Sequence, residues 1–228
     1  MLAIARAVVS ELIQIQGARR AMTAIGMLVL GWLLGLLAPE IVYKIRTGRR
    51  LKAIERGLLA EVRDAALRIG LAASRIDEHL GNFGRENLEA RRKIYMNFGN
   101  DNAKAIENLD ALLAKSDADL ALLKTNLVVA ASAGLGLRKQ RLPFIDSKIN
   151  ELELFGELRM SQLLDFRAQV EQFNELVEDS RMYFKMTFDV TGQNHAIVTN
   201  NLTATYSNVM KKAENVVTRA ARIADLQL

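Results

Sequence analysis

The chain has 228 residues, 31 Lys+Arg against 26 Asp+Glu, a formal net charge of +5, and half of its residues are hydrophobic. That composition supports a sizeable core and excludes wholesale disorder, and the length allows one or two domains. Cysteine is absent, which excludes disulfides, thiolate metal sites, iron–sulfur ligation and a cysteine nucleophile.

Only two prolines and 6% aromatics accompany abundant Ala and Leu. A β-rich chain needs more turn punctuation and more β-branched or aromatic residues, so an all-α fold is expected. The positive charge is concentrated early. Residues 1–57 hold Arg6, Arg19, Arg20, Lys44, Arg46, Arg49, Arg50, Lys52 and Arg56 against Glu11, Glu40 and Glu55. The rest of the chain is close to neutral, so nucleic acid is not an expected partner, because phosphate binding needs a larger basic stripe.

Residues 1–20 carry Leu2, Ile4, Val8, Val9, Leu12, Ile13 and Ile15 at spacings that suit an amphipathic segment lying at a membrane interface. Residues 21–38 then run for eighteen positions without a charge. As a helix they reach about 27 Å, close to the thickness of a bilayer's hydrocarbon core. Their eight Leu, Ile and Val residues favour insertion by roughly 2–5 kcal/mol. A transmembrane helix over 21–43 is the expectation. A buried core helix seldom runs so far without a charge, and Pro39 directly after Ala38 argues against a cleaved signal peptide.

Within this span Gly31 and Gly35 lie four residues apart on one helix face, where another helix can approach closely and support a homo-oligomer. The segment 44–57 follows, with Lys44, Arg46, Arg49, Arg50, Lys52 and Arg56. These six suit anionic lipid headgroups, and by the positive-inside rule they favour a cytoplasmic C-terminal domain. Arg19 and Arg20 on the other flank weaken that preference.

Residues 58–228 are expected to form an elongated antiparallel helical bundle. Leu51, Ile54, Leu58, Val62, Ala65, Ile69, Ala72, Ile76 and Leu80 recur about every 3.6 residues, one face of a continuous helix that stops at Gly81–Gly84. This period does not by itself imply a long left-handed coiled coil. Further helices are expected over 86–97 and 102–116, and from an Asp117 N-cap to about 129. The apolar stretch 125–137 is too short to span a membrane. Asn82-Phe83-Gly84 with Asn87 is echoed by Asn97-Phe98-Gly99 with Asn102, which reads as two turns of similar chemistry.

From Pro143 the apolar pattern Ile145, Ile149, Leu152, Phe155, Leu163, Phe166, Val170, Phe173, Val177, Phe184 and Phe188 predicts a long helix, about 67 Å if unbroken from 144 to 188. Thr191–Gly192 stops it. A last helix over 193–224, with Ile197, Leu202, Val209, Val216, Ala220 and Ile223 inward, completes a long hairpin. Beside the core stripe, Met182, Tyr183 and Met186 widen the apolar arc and are candidate partner-binding residues.

No motif supports catalysis. Neither His79 nor His195 has a Glu three residues before it, as a di-iron bundle requires. HExxH, phosphate-binding loops and the nucleophile elbow are missing. Glu151, Glu153, Glu157 and Asp165 read as solvating charge. The expectation is a non-enzymatic, membrane-anchored scaffold, adaptor or assembly factor without a cofactor, whose partners are lipids and proteins. The competing expectation is a signalling or sensory bundle, marked by an enclosed, partly polar cavity between the long helices.

Overall fold

The computed structural model describes residues 2–99, 102–126 and 134–225, with the side chains at 2–25, 34, 37 and 126 outside the description. The apolar stripe expected at 2–15 and most of the stretch 125–137 therefore lie outside it. Among the described residues the fold is all-helical and has no strand. The helices are α1 (Leu2–His79), α2 (Arg85–Phe98), α3 (Ala103–Leu113), α4 (Asp117–Asn126), α5 (Pro143–Lys148), a 3₁₀ helix (Ile149–Phe155), α6 (Glu157–Asp189) and α7 (Gln193–Ile223). The chain divides into two compact units, Met1–Ala53 and Ile54–Leu228.

The apolar segment and the stripe that follows it belong to one helix, α1, which continues through Pro39. Proline there removes a single backbone hydrogen bond, the one to the carbonyl of Gly35. In the first unit every described side chain from Gly26 to Arg46 is exposed.

The second unit holds the core. Ile54, Leu58, Val62, Ala65, Ile69 and Ile76 of α1 are buried as the spacing predicts, whereas Leu51, Ala72 and Leu80 are half-buried. They join Phe166, Val170, Phe173 and Val177 of α6 and Leu202, Val209, Val216 and Ala220 of α7 in a single apolar cluster. The pairing of α6 with α7 is antiparallel. Arg159 donates to the carbonyl of Ile223 at 2.6 Å, Asp165 pairs with Arg219, and Gln172 accepts from Lys212 at 2.7 Å, so positions rise along one helix as they fall along the other. At its far end α1 meets α7 where the rings of His79 and Tyr206 stand edge to face, 5.4 Å apart.

Four details depart from the sequence expectations. The pattern from 144 to 188 is not one helix: α5 and the 3₁₀ turn end at Gly156, whose φ of 83° side-chain-bearing residues rarely adopt, and α6 begins after it. In α7 Val198 is buried in place of Ile197, which is 57% exposed. Phe188 is 74% exposed, because the buried stripe of α6 runs through Val177, Ser180 and Thr187 and Phe188 lies off that face. The cap of α4 is Ser116, whose hydroxyl accepts from the N–H of Asp119 at 3.1 Å; Asp117 is already inside the helix.

The start of α5 shows a cap that local sequence does not supply. Leu142 precedes it without a capping side chain. Glu61 of α1 supplies one instead, its two carboxylate oxygens accepting from the N–H groups of Phe144 and Ile145 at 2.8 and 2.7 Å. The Phe144 ring comes so close to Gly57 that a Cβ there would lie 2.4 Å from it. Only glycine allows that approach. A satellite cluster of Phe83, Leu88, Leu109 and Leu120 joins α2, α3 and α4. It is tied by Arg85, which donates to the carbonyls of Leu113 and Lys115 and pairs with Asp117.

Candidate functional site

The largest unusual surface is the apolar part of α1. Helices that are apolar on one stripe turn it to a core, but this segment is apolar all round. Met27 is 76% and Trp32 66% exposed, and Leu28, Leu30, Leu33 and Leu36 are exposed with them. None of the eighteen residues in its most apolar window is buried. By length and composition this is one helix able to cross a membrane. Gly31 and Gly35 sit on that exposed surface, and a Cβ added to either would meet nothing within 4 Å. The glycines leave open space that no described residue fills.

All six basic residues from Lys44 to Arg56 are exposed. Lys44 makes an i,i+4 pair with Glu40 at 3.4 Å, with both side chains largely solvated. Exposed pairs of that kind contribute little to stability, so the Lys44 charge is available to a surface. Its guanidinium and ammonium groups meet anionic groups by charge-assisted hydrogen bonds.

The second candidate lies near the end of α6. Met182 and Met186 are exposed, one turn apart, while Tyr183 is half-buried against the core. The structure therefore separates the three predicted residues: two face outward and one packs inward. Arg181, beside them in sequence, is engaged, donating twice to the carbonyl of Leu137 at 3.1 and 2.7 Å. Phe188 extends the exposed group and stands edge-on to Phe184 at 5.1 Å. Periodicity placed Phe188 in the core, where the structure buries its neighbour Thr187 instead. Leu154 in the 3₁₀ helix and Leu158 at the start of α6 are also exposed, which the apolar pattern did not indicate.

The remaining polar groups serve packing. Asp77 accepts from Asn82 at 2.9 Å and from Asn87 at 2.8 Å, so the first Asn-Phe-Gly turn is held by one carboxylate. The Lys139 ammonium holds the Glu178 carboxyl below its ordinary range through a 2.5 Å contact. Ser116 does the same for Asp119 by hydrogen bonding. Burial pushes the Tyr206 phenol above its ordinary value, opposed by the Leu135 N–H that donates to its oxygen at 3.2 Å. The acids considered as a catalytic group are dispersed: Glu151 pairs with Lys148 and Asp165 with Arg219. Among the described residues no group of three His, Asp or Glu side chains is placed to hold a metal ion.

The hollows of the second unit are grooves open to solvent. One of them, about 600 Å³, lies among Ser74, Asp77, Asn87, Ile94, Met210 and Glu214. Between the long helices the space is filled by Phe166, Phe173 and Ile69, each fully buried. No known protein family, curated protein or solved structure matches this chain.

Proposed function

We propose that this chain is a non-enzymatic, single-pass membrane protein whose second unit is an antiparallel helical bundle acting as a scaffold, adaptor or assembly factor for protein partners. The observation that carries this reading is the fully exposed apolar run of α1, which has no partner within the described residues and fits the bilayer in length. Lys44 to Arg56 lie against anionic headgroups, at about 1 kcal/mol per basic residue near the surface. They favour a cytoplasmic bundle. The filled core supports a scaffold over a ligand-enclosing sensor, and Met182, Met186 and Phe188 offer an adaptable apolar contact for a partner helix.

Because cysteine is absent, single Ser10→Cys and Ser161→Cys variants report topology directly. In intact cells a membrane-impermeant maleimide is expected to label the first and not the second, with the second labelled after permeabilisation. The reverse pattern places the bundle outside, and labelling of both in intact cells removes the membrane span. Self-association through Gly31 and Gly35 predicts that changing both to Ile abolishes cross-linked oligomers. Oligomers that persist unchanged assign no such role to the glycines.

A further inference from the structure

The two short basic clusters of the second unit, Arg91–Arg92 and Arg138–Lys139, have unequal fates. Arg91 pairs with Glu78 at 2.9 Å, Arg92 with Asp110 and Lys139 with Glu178. Arg138 has no ionic or hydrogen-bonding side-chain partner among the described residues, and neither does Arg75 of α1. Both line one groove of about 400 Å³, together with Arg68. Arg68 and Arg75 are seven residues apart on α1, two helical turns along the same face. Only Arg68 is engaged, with Asp64 at 3.1 Å on the exposed surface. The lining also includes the half-buried Leu71 of α1 and Leu135 of the connection before α5, next to Leu137, whose side chain is buried in the core. No acidic residue lines the groove.

The connection is held in place along α6. Gln140 and Asn174 exchange hydrogen bonds of 2.7 and 2.8 Å, and Arg181 grips the carbonyl of Leu137. The groove wall is thus fixed by contacts that do not involve the three arginines. Guanidinium groups without a carboxylate partner favour phosphate or carboxylate oxygens, and an apolar floor favours a hydrocarbon body. We infer that this groove binds a small amphiphilic phosphate monoester, its head held by Arg75 and Arg138 and its apolar part against the half-buried Leu71 and Leu135. All these residues belong to the second unit, so the site does not depend on the membrane reading.

The test is calorimetric titration of the full chain in phosphatidylcholine nanodiscs, blanked against empty discs, with hexyl phosphate, inorganic phosphate and hexanol as probes. Hexyl phosphate is expected to bind one to one, at least tenfold tighter than inorganic phosphate, with no saturable binding of hexanol. The double variant Arg75→Gln/Arg138→Gln is expected to lose at least tenfold in affinity while its unfolding temperature is unchanged; Arg222→Gln, outside the groove, is expected to bind as before. Equal affinity in the double variant overturns the site, as does inorganic phosphate binding as tightly as hexyl phosphate. Repeating the titration in discs containing phosphatidic acid separates the two sources of such a head. A competitive loss of affinity that the double variant does not share assigns a lipid, and an unchanged affinity assigns a soluble ester.

Discussion

Two stretches of α1 share a helix and a high apolar content but dispose of it oppositely. From Met27 to Tyr43 the described large apolar side chains are exposed, whereas from Ile54 to Ile76 a stripe of them is excluded from water, with Val62, Ile69 and Ile76 completely so. The difference lies in what shares the turn. In the second stretch Arg56, Asp64, Arg68 and Arg75 occupy the opposite face, so one side can dock on α6 and α7 while the other remains solvated. The first stretch carries no charge from Met27 to Pro39 and has no polar side there to offer water. An apolar stripe calls for a core, whereas an apolar cylinder of this length is what a helix able to cross a membrane is made of.

The comparison can be broken from either side. The largest effect is expected for Leu30→Arg with Leu33→Arg, which adds about 5–7 kcal/mol to insertion and exceeds the roughly 2–5 kcal/mol supplied by the Leu, Ile and Val residues. The variant should leave the membrane fraction on alkaline extraction while its second unit keeps its unfolding transition. Retention in the membrane would show that the segment is not what holds the chain there. Conversely, Ile69→Ala should cost about 2–5 kcal/mol by denaturant titration through lost burial and a residual cavity, with no change in membrane fraction.

A smaller loss is expected from Glu61→Ala. It strips the two N–H groups at the start of α5 of a charged acceptor, and about 2–3 kcal/mol should disappear from the same titration. Glu55→Ala, whose partner Arg159 lies 3.9 Å away at a more exposed site, should cost well under 1 kcal/mol. The smallest effect carries a pH signature. Tyr206→Phe leaves the Leu135 N–H without its acceptor and should cost about 1 kcal/mol at neutral pH. With its folded pKa raised, Tyr206 contributes stability that is complete below its unfolded value of about 10 and is lost as pH rises through the folded value. Stability of the Phe variant should therefore fall less steeply above pH 10, as read by unfolding midpoints across that range.

How far the site could be read from sequence depended on the reach of each interaction. The exposed run and the basic segment are properties of consecutive residues, and the stripe from Ile54 to Ile76 is a property of helical period. Where period was extrapolated to a helix end it failed by one position: Thr187 and Val198 continue the buried faces near the α6–α7 turn, and Phe188 and Ile197 beside them turn outward. Likewise, Arg138 and Lys139 are adjacent in sequence and equivalent in charge. Only packing against α6 gives Lys139 a carboxylate and leaves Arg138 facing a groove with Arg75.

By itself the sequence determined the helical class, the apolar run with its charged flank, and which face of each long helix avoids water. Those follow from local composition and from the 3.6-residue period, which need no knowledge of neighbours. Tertiary structure alone decided that Glu61 caps a helix beginning 82 residues later, that Gly57 makes room for Phe144, and that Gly156 ends one helix and starts another. It also decided which arginines stay unpaired. Each of these depends on a contact between residues distant in the chain or on a backbone angle set by the packing around it, and neither is encoded in the periodicity of a single segment.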